Sequence, residues 1–144
     1  MTHHFSTELR TGTRSRPLNA GWHIRLLEGP APLAVAARHI PASVPGSIRQ
    51  DLAVAGLLAG QQAESSPGWI RDCAWEYSLD FPWRKGTAAP VELAFQGLDA
   101  AAEVHLNGKP LHGAGRQNPD WPDVAAHLFD GLNTLKVALH PASS

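Results

Sequence analysis

Alternation of apolar and polar residues is the main pattern along this chain. Apolar side chains recur at every second position in 75–81 (WEYSLDF), 91–95 (VELAF), 103–106 (EVHL) and 134–140 (TLKVALH). A period of two puts the apolar side chains on one face of a strand and the polar ones on the other. The pattern therefore predicts antiparallel strands with one buried face each. A less regular strand is predicted at 21–27 (GWHIRLL).

A hairpin is predicted around Asn107-Gly108. The two central positions of a type I′ turn both need a positive φ, which Asn and Gly tolerate. This turn sets the register of the hairpin, which then pairs Leu106 with Lys109, Val104 with Leu111 and Glu103 with His112. Asp99 follows Gly97 and Leu98, and we expect its carboxylate to accept hydrogen bonds from backbone amides of a bend.

One helix is predicted after Pro45-Gly46. Ser47 is the expected N-cap and Gln50 follows three residues later, which is the spacing of a capping box. Gly56 is a typical residue for the end of such a helix. A shorter helical turn is predicted from Asp123, with Val124 and Leu128 on one side.

Short strands separated by turns favour an all-β fold, a β-sandwich of the jelly-roll type with one or two short helices. The chain has 144 residues, which suits a single domain. We interpret residues 1–16 as a flexible, polar N-terminal arm and residues 17–144 as the single sandwich domain.

The composition and charge limit the classes of binding partner that are expected for this chain. The formal net charge is −1, so no strong basic field is available for nucleic acid or an anionic membrane. No apolar run approaches the ~20 residues of a membrane span, and the first residues lack the apolar core of a secretory signal. Cys73 is the only cysteine, and we expect a small buried side chain there and a cytoplasmic protein. The sequence does not predict an oligomeric state.

Unaided catalysis is not expected. No two carboxylates stand at a spacing typical of an acid/base pair, and no G-x-S-x-G motif occurs. The eight histidines are scattered, without H-x₃-H or C-x₂-C spacing, so neither a metal nor another cofactor is predicted. The sequence leaves open whether loop carbonyls and Asp120 or Asp123 converge on a structural Ca²⁺.

Tryptophans are the best candidates for sugar contact, because a flat aromatic ring stacks on the C–H face of a pyranose. Trp22 and Trp75 lie on predicted buried faces and are expected in the core. Trp69, Trp83 and Trp121 lie in loops or at strand ends beside prolines. The alternative for these three is a role in covering the core or in contacting another domain.

Several segments of this chain occur in a specific order and spacing. They are Trp22, 44–58 (VPGSIRQDLAVAGLL), Trp69, 75–81, 95–111 (FQGLDAAAEVHLNGKPL) and 123–139 (DVAAHLFDGLNTLKVAL). Together they resemble the N-terminal sugar-binding domain of glycoside hydrolase family 2, which includes β-galactosidases, β-glucuronidases and β-mannosidases. The resemblance covers about residues 18–141. The β-mannosidase branch fits best, because of the Pro-Gly pair, the short helix and the D-L…G-L stretch.

The resemblance implies a galactose-binding-like jelly roll. It also implies that the two catalytic glutamates of this retaining family stand on a separate TIM barrel, so neither is carried over to this chain. The segment between Lys109 and Asp123 departs from the family and is shorter than in mannosidase-like relatives. Asn118 and Trp121 match the Asn and aromatic residues of that longer segment and join the candidates for sugar contact.

Three hypotheses follow. The chain is a non-catalytic, carbohydrate-associated domain of a β-mannosidase-like hydrolase, a structural domain that docks on the catalytic barrel without binding sugar, or a stand-alone lectin-like module. The expected partner is a carbohydrate, a glycosidase barrel domain or both. The sequence leaves open whether the chain is an excised domain, a truncated product or a complete module.

Overall fold

The computed structural model describes residues 4–58, 68–84, 86, 89–99, 101–113 and 118–141. The strands in these residues form two antiparallel sheets. The strands are β1 (Ser6–Thr11), β2 (Arg14–Pro17), β3 (His23–Glu28), β4 (Ile40–Pro41), β5 (Ala74–Trp83), β6 (Glu92–Gln96), β7 (Glu103–Leu106), β8 (Lys109–Leu111), β9 (Asp120–Trp121) and β10 (Gly131–Leu139). The helices are α1 (Leu33–Ala36), α2 (Ile48–Val54) and α3 (Gly68–Arg71), and a 3₁₀ turn spans Ala125–His127.

The strands form a four-stranded sheet A and a six-stranded sheet B. Sheet A has the order β2-β1-β6-β9, and sheet B has the order β4-β3-β5-β10-β7-β8. Long, regular pairing of β5 with β10 runs along the middle of sheet B, from Trp75 opposite Leu139 to Trp83 opposite Gly131. The alternation in the sequence thus produces the predicted β-sandwich, with each regular strand burying one face.

Aromatic rings fill the space between the two sheets. Phe5 meets Trp22 and Tyr77 edge to face, with ring centroids 5.7 Å and 5.1 Å apart. All three side chains are buried, and the indole Nε1 of Trp22 donates to the carbonyl of Leu18 at 2.8 Å. Edge-to-face rings contribute beyond the area they bury, so this cluster fixes how the sheets face each other. Trp22, Trp75 and Cys73 are buried as predicted.

The N-terminal segment differs from the prediction. Residues 6–11 and 14–17 are not a mobile arm but a hairpin, and β1 pairs with β6 from Ser6 opposite Gln96 to Arg10 opposite Glu92. Phe5 and Leu9 enter the core between the sheets. The alternation in residues 5–9 is hard to recognise, because its middle inward position is the polar residue Thr7. The Thr7 hydroxyl is satisfied in the structure, since it donates to the carbonyl of Ala94 at 2.9 Å.

The hairpin at Asn107-Gly108 has the predicted turn and register. Both residues have a positive φ, 52° and 82°, and Leu106 faces Lys109 while Val104 faces Leu111. The predicted contact of Glu103 with His112 is wrong. Strand β8 ends at Leu111, and the Glu103 carboxylate lies 3.5 Å from Nε2 of His140, the residue that follows β10.

Helix α2 has the predicted ends. The Ser47 hydroxyl accepts a hydrogen bond from the Gln50 amide at 3.1 Å. At the other end Gly56 takes a φ of 76°, and the amides of Gly56 and Leu57 donate to the carbonyls of Ala53 and Leu52. This Schellman arrangement satisfies carbonyls that the helix would leave unpaired.

Candidate functional site

Trp69 and Trp83, two of the four predicted sugar-contact residues, lie near opposite ends of β5. Trp69 on α3 packs against Trp75, with ring centroids 6.4 Å apart and planes tilted by 40°. Trp83 is the last residue of β5. Trp83 lies eight positions after Trp75, which is about 26 Å of strand. These two tryptophans therefore cannot stack on the same sugar ring.

Asn118 and Trp121 are brought together at β9, the edge of sheet A. The Trp121 indole Nε1 donates to the carbonyl of His112 at 2.7 Å, and its ring meets Phe95 edge to face at 6.0 Å. Asn118 adopts a φ of 47°, and its side-chain oxygen accepts from the amide of Gly97 at 3.1 Å. Both side chains therefore hold this segment on the sandwich, and their role in sugar contact remains a prediction.

Residues 114–117 of the segment that departs from the family lie outside the described residues. Asp123, at the end of that segment, accepts backbone hydrogen bonds from Val91 and Ala125 at 3.2 Å and 3.0 Å. These bonds lower the pKa of its carboxyl. Asp99 accepts from the amide of Ala101 at 2.9 Å, which is the bend role that the sequence predicts.

An apolar end surface, defined as Pro82, Trp83, Phe129 and Leu132, lies where β5 ends and β10 begins. Leu132 faces Pro82 across the two strands, and both are exposed. The side chains of Phe129 and Leu132 are 59% and 65% exposed. Trp83 is half-buried against the core beside Gly131. Phe129 and Leu132 thus expose two large apolar side chains at this end of the sandwich.

A buried amide holds this end in shape. Asn133 is fully buried on the inward side of β10. Its oxygen accepts from the amide of Phe129 at 2.7 Å, while its nitrogen donates to the carbonyls of Phe129 and Gly131 at 3.0 Å and 3.2 Å. The turn that exposes Phe129 and Leu132 is therefore fixed by side-chain hydrogen bonds.

Asn107 extends this network to the hairpin. Its nitrogen donates to Oδ1 of Asn133 at 2.8 Å and to the carbonyl of His127 at 2.7 Å, and its oxygen accepts from the amide of Thr134 at 2.8 Å. Sequence reasoning assigned Asn107 to the turn only and missed Asn133. An Asn at an inward position of an alternating strand is the signal that could have identified it.

A buried carboxyl lies beneath α2. Asp51 is 4% exposed, its Oδ1 accepts from the amide of Ser43 at 3.1 Å, and its Oδ2 has no hydrogen-bond partner among the described residues. Burial raises the pKa of Asp51 to about 6, against the smaller lowering effect of the Ser43 amide. Burial, together with the charge of Asp51, also raises the pKa of the Tyr77 hydroxyl, which likewise lacks a partner there.

Metal and membrane sites are not found in the described ranges. Within residues 4–58, 68–84, 86, 89–99, 101–113 and 118–141, no three His, Cys, Asp or Glu side chains are placed to hold a metal ion. In the same part of the chain, no helix has the length and apolar character needed to cross a membrane. Burial raises the pKa of the Cys73 thiol, which disfavours the reactive thiolate.

The two sheets, the aromatic core and the short helices define a galactose-binding-like β-sandwich. Residues 22–144 match the family described as glycosyl hydrolase 2 galactose-binding domain-like. The chain belongs to this family. None of the curated proteins gives a significant sequence match.

Solved structures share the fold. The β-D-mannosidase from Dictyoglomus thermophilum is 23% identical with a TM-score of 0.68, over 94% of this chain and 16% of the mannosidase. An FMN-binding β-glucuronidase from Facaelibacterium prausnitzii L2-6 is 21% identical with a TM-score of 0.58, over 100% of this chain and 19% of that one. A Bacteroides fragilis protein described as a β-galactosidase is 17% identical with a TM-score of 0.58, over 92% and 19%. The chain thus spans less than a fifth of each of these proteins.

Proposed function

We propose that this chain is the non-catalytic, carbohydrate-associated N-terminal domain of a β-mannosidase-like glycoside hydrolase, and that it docks on the catalytic domain through the apolar end surface. The family match over residues 22–144 supports the domain assignment. The higher TM-score of the mannosidase supports that branch over the other two.

The observation that carries the docking role is the fixed exposure of Phe129 and Leu132. A flexible turn could fold two exposed apolar side chains back onto the domain. Here the hydrogen bonds of Asn133 hold the turn open, so both side chains face outward at 59% and 65% exposure. Exposed apolar groups that cannot retract gain most by contact with another protein surface.

The ion pairs of three carboxylates support the non-catalytic part of the proposal. A retaining glycosidase needs two carboxyl groups about 5–5.5 Å apart across a substrate cleft. The carboxylates of Glu8 and Glu92 both contact Arg10 on one face of sheet A. That of Glu76 contacts Arg25 at 2.8 Å and Lys136 at 3.9 Å. These carboxylates are thus held in ion pairs with basic side chains, which is a structural role.

Docking can be tested by mixing the ¹⁵N-labelled chain with the D. thermophilum β-mannosidase from which its own first domain is deleted. We expect the amide resonances of Trp83 and of residues 129–132 to broaden. The double substitution Phe129→Ser and Leu132→Ser should abolish the effect, and the matched control Leu33→Ser, which removes an apolar side chain that is 88% exposed elsewhere, should not. Broadening centred on another surface would contradict the assignment of the docking surface.

The non-catalytic role has a separate assay. The purified chain should release no aryl group from aryl β-mannoside, β-galactoside or β-glucuronide. Turnover that remained with the chain through successive purification steps would refute this part of the proposal.

A further inference from the structure

A groove on the outer face of sheet A has no role in the function proposed so far. Its volume is about 180 Å³, and it is lined by residues of β1 and β6, by Pro17 and Asn19, and by Pro45 from the loop before α2. Ser6 faces Gln96 across the two strands, and Glu8 faces Ala94. The outward side chains of both strands therefore form one wall of the groove.

Three side chains of this groove have unused hydrogen-bonding groups. The hydroxyl of Ser6 and the amides of Asn19 and Gln96 line the groove, and Asn19 and Gln96 are exposed. None of the three is hydrogen-bonded through its side chain to another described residue. A hydroxyl and two amides offer donors and acceptors together, which suits a ligand that carries both.

Glu8 and Arg10 line the same groove as an ion pair, and Glu92 lies beside Arg10 next to the lining residues. Arg10 hydrogen-bonds Glu8 through Nε and lies 3.5 Å from Glu92 through Nη1. One guanidinium between two carboxylates leaves a net charge of −1, so the groove does not favour an anion. A fixed carboxylate–guanidinium pair still accepts and donates hydrogen bonds toward a neutral polar ligand.

Size and apolar lining restrict the ligand further. Pro17, Pro45 and Ala94 contribute apolar surface to the groove, which matches the C–H face of a sugar ring. The volume lies below the about 300–1,000 Å³ of sites for drug-sized ligands. One ring fits such a space better than an oligosaccharide does.

We infer that this groove binds a single neutral hexopyranose unit, with Ser6, Asn19 and Gln96 on its hydroxyls and Pro17 and Pro45 against its C–H face. The inference deepens the carbohydrate association in the proposed function and does not depend on docking. An open groove with few contacts binds weakly, and we expect a dissociation constant in the millimolar range.

The test is an NMR titration of the ¹⁵N-labelled chain with D-mannose, D-galactose and sodium glucuronate. We expect amide shifts that saturate and are confined to residues 6–10, 18–19 and 94–96. Glucuronate should bind more weakly than the neutral sugars, because its carboxylate meets a groove of like net charge. Gln96→Ala and Asn19→Ala should each weaken binding about fivefold, the effect of one lost hydrogen bond.

Gln50→Ala is the matched control, because it removes an exposed glutamine from α2 and should leave binding unchanged. The spectrum of each variant reports directly whether the fold is intact. Saturable shifts centred on Trp69, Trp83 or Trp121 would overturn the groove but keep carbohydrate association. No saturable shift well above millimolar sugar would overturn the groove as well as sugar binding by this chain, while the docking experiment would be unaffected.

Discussion

Replacement of Asp51 by Asn should remove a pH dependence of stability that the buried carboxyl creates. Asp51 is 4% exposed and accepts one hydrogen bond, from the amide of Ser43 at 3.1 Å. Its second oxygen and the nearby Tyr77 hydroxyl lack hydrogen-bond partners among the described residues. Ionisation of Asp51 therefore places a charge in a poorly solvated position, which raises its pKa from 3.8 to about 6.

The magnitude follows from linkage. Each pKa unit corresponds to about 1.4 kcal/mol, so a rise from 3.8 to about 6 amounts to about 3 kcal/mol of unfolding free energy. The folded state binds the proton more tightly than the unfolded state does. The stabilisation is therefore complete below pH 3.8 and is lost as the pH rises through about 6. The buried ionised carboxyl thus makes the protein less stable at neutral pH than a neutral isostere would.

Asp51→Asn keeps the acceptor for the Ser43 amide and removes the ionisable group. The unfolding free energy of wild type and variant is measured by urea titration, with tryptophan fluorescence as the probe, at pH values from 4 to 8. The variant should gain stability relative to wild type as the pH rises, by about 2 kcal/mol over this range, because part of the effect is already lost at pH 4. The exposed Asp72→Asn serves as the control for the loss of one carboxylate.

A difference between Asp51→Asn and wild type that stays constant from pH 4 to 8 would refute the reasoning. It would mean that water or a rearranged Tyr77 hydroxyl solvates the ionised carboxyl as well as bulk water does. A slope of opposite sign would mean that a cation pairs with Asp51 in solution. Either result would show that burial of the Asp51 carboxyl does not lower the unfolding free energy in the way proposed.

Two further substitutions test the local geometry. Asn133→Ala should lower the unfolding free energy by about 2–4 kcal/mol, because it leaves buried groups of the turn and of Asn107 unpaired. The control, replacement of the exposed Asn19 by Ala, should change the unfolding free energy by under about 0.5 kcal/mol. Equal effects of the two substitutions in urea titration would argue against the network. Gly97→Ala should cost more than about 1 kcal/mol, since Gly97 has a φ of 74° and a Cβ there would lie 2.7 Å from the His4 carbonyl oxygen; unchanged thermal unfolding would contradict this.

Elements with a regular apolar–polar alternation or a local turn motif could be predicted from the sequence. In β5 every inward position from Trp75 to Phe81 is large and apolar, so the strand and its buried face were both predictable. The hairpin turn was predictable because both of its central residues need a positive φ, a local requirement that Asn107-Gly108 meets. Both are decided by neighbours along the chain.

Elements that depend on distant partners could not be predicted. Strand β1 carries Thr7 at an inward position, which is acceptable only because the carbonyl of Ala94, 87 residues away, receives its hydroxyl. Asn133 breaks the apolar alternation of β10 for the same kind of reason, since its side-chain partners Phe129 and Asn107 lie on two turns outside the strand. A polar residue at an inward position is satisfied by tertiary contacts that the sequence does not display.

The candidate sites follow the same division. Trp69 and Trp121 were selected by residue type, yet Trp121 is occupied in packing on Phe95 and in a hydrogen bond to His112, and Trp69 in packing on Trp75. The groove on sheet A was not predictable, because it joins residues of β1, β6 and the loop at Pro45 that only the fold brings together. Its side chains are ordinary in sequence, and it is their unused hydrogen-bonding capacity that distinguishes them. The proposed docking surface at the end of sheet B and the proposed sugar groove on the outer face of sheet A consist of different residues, so a substitution in one surface leaves the other as an internal control.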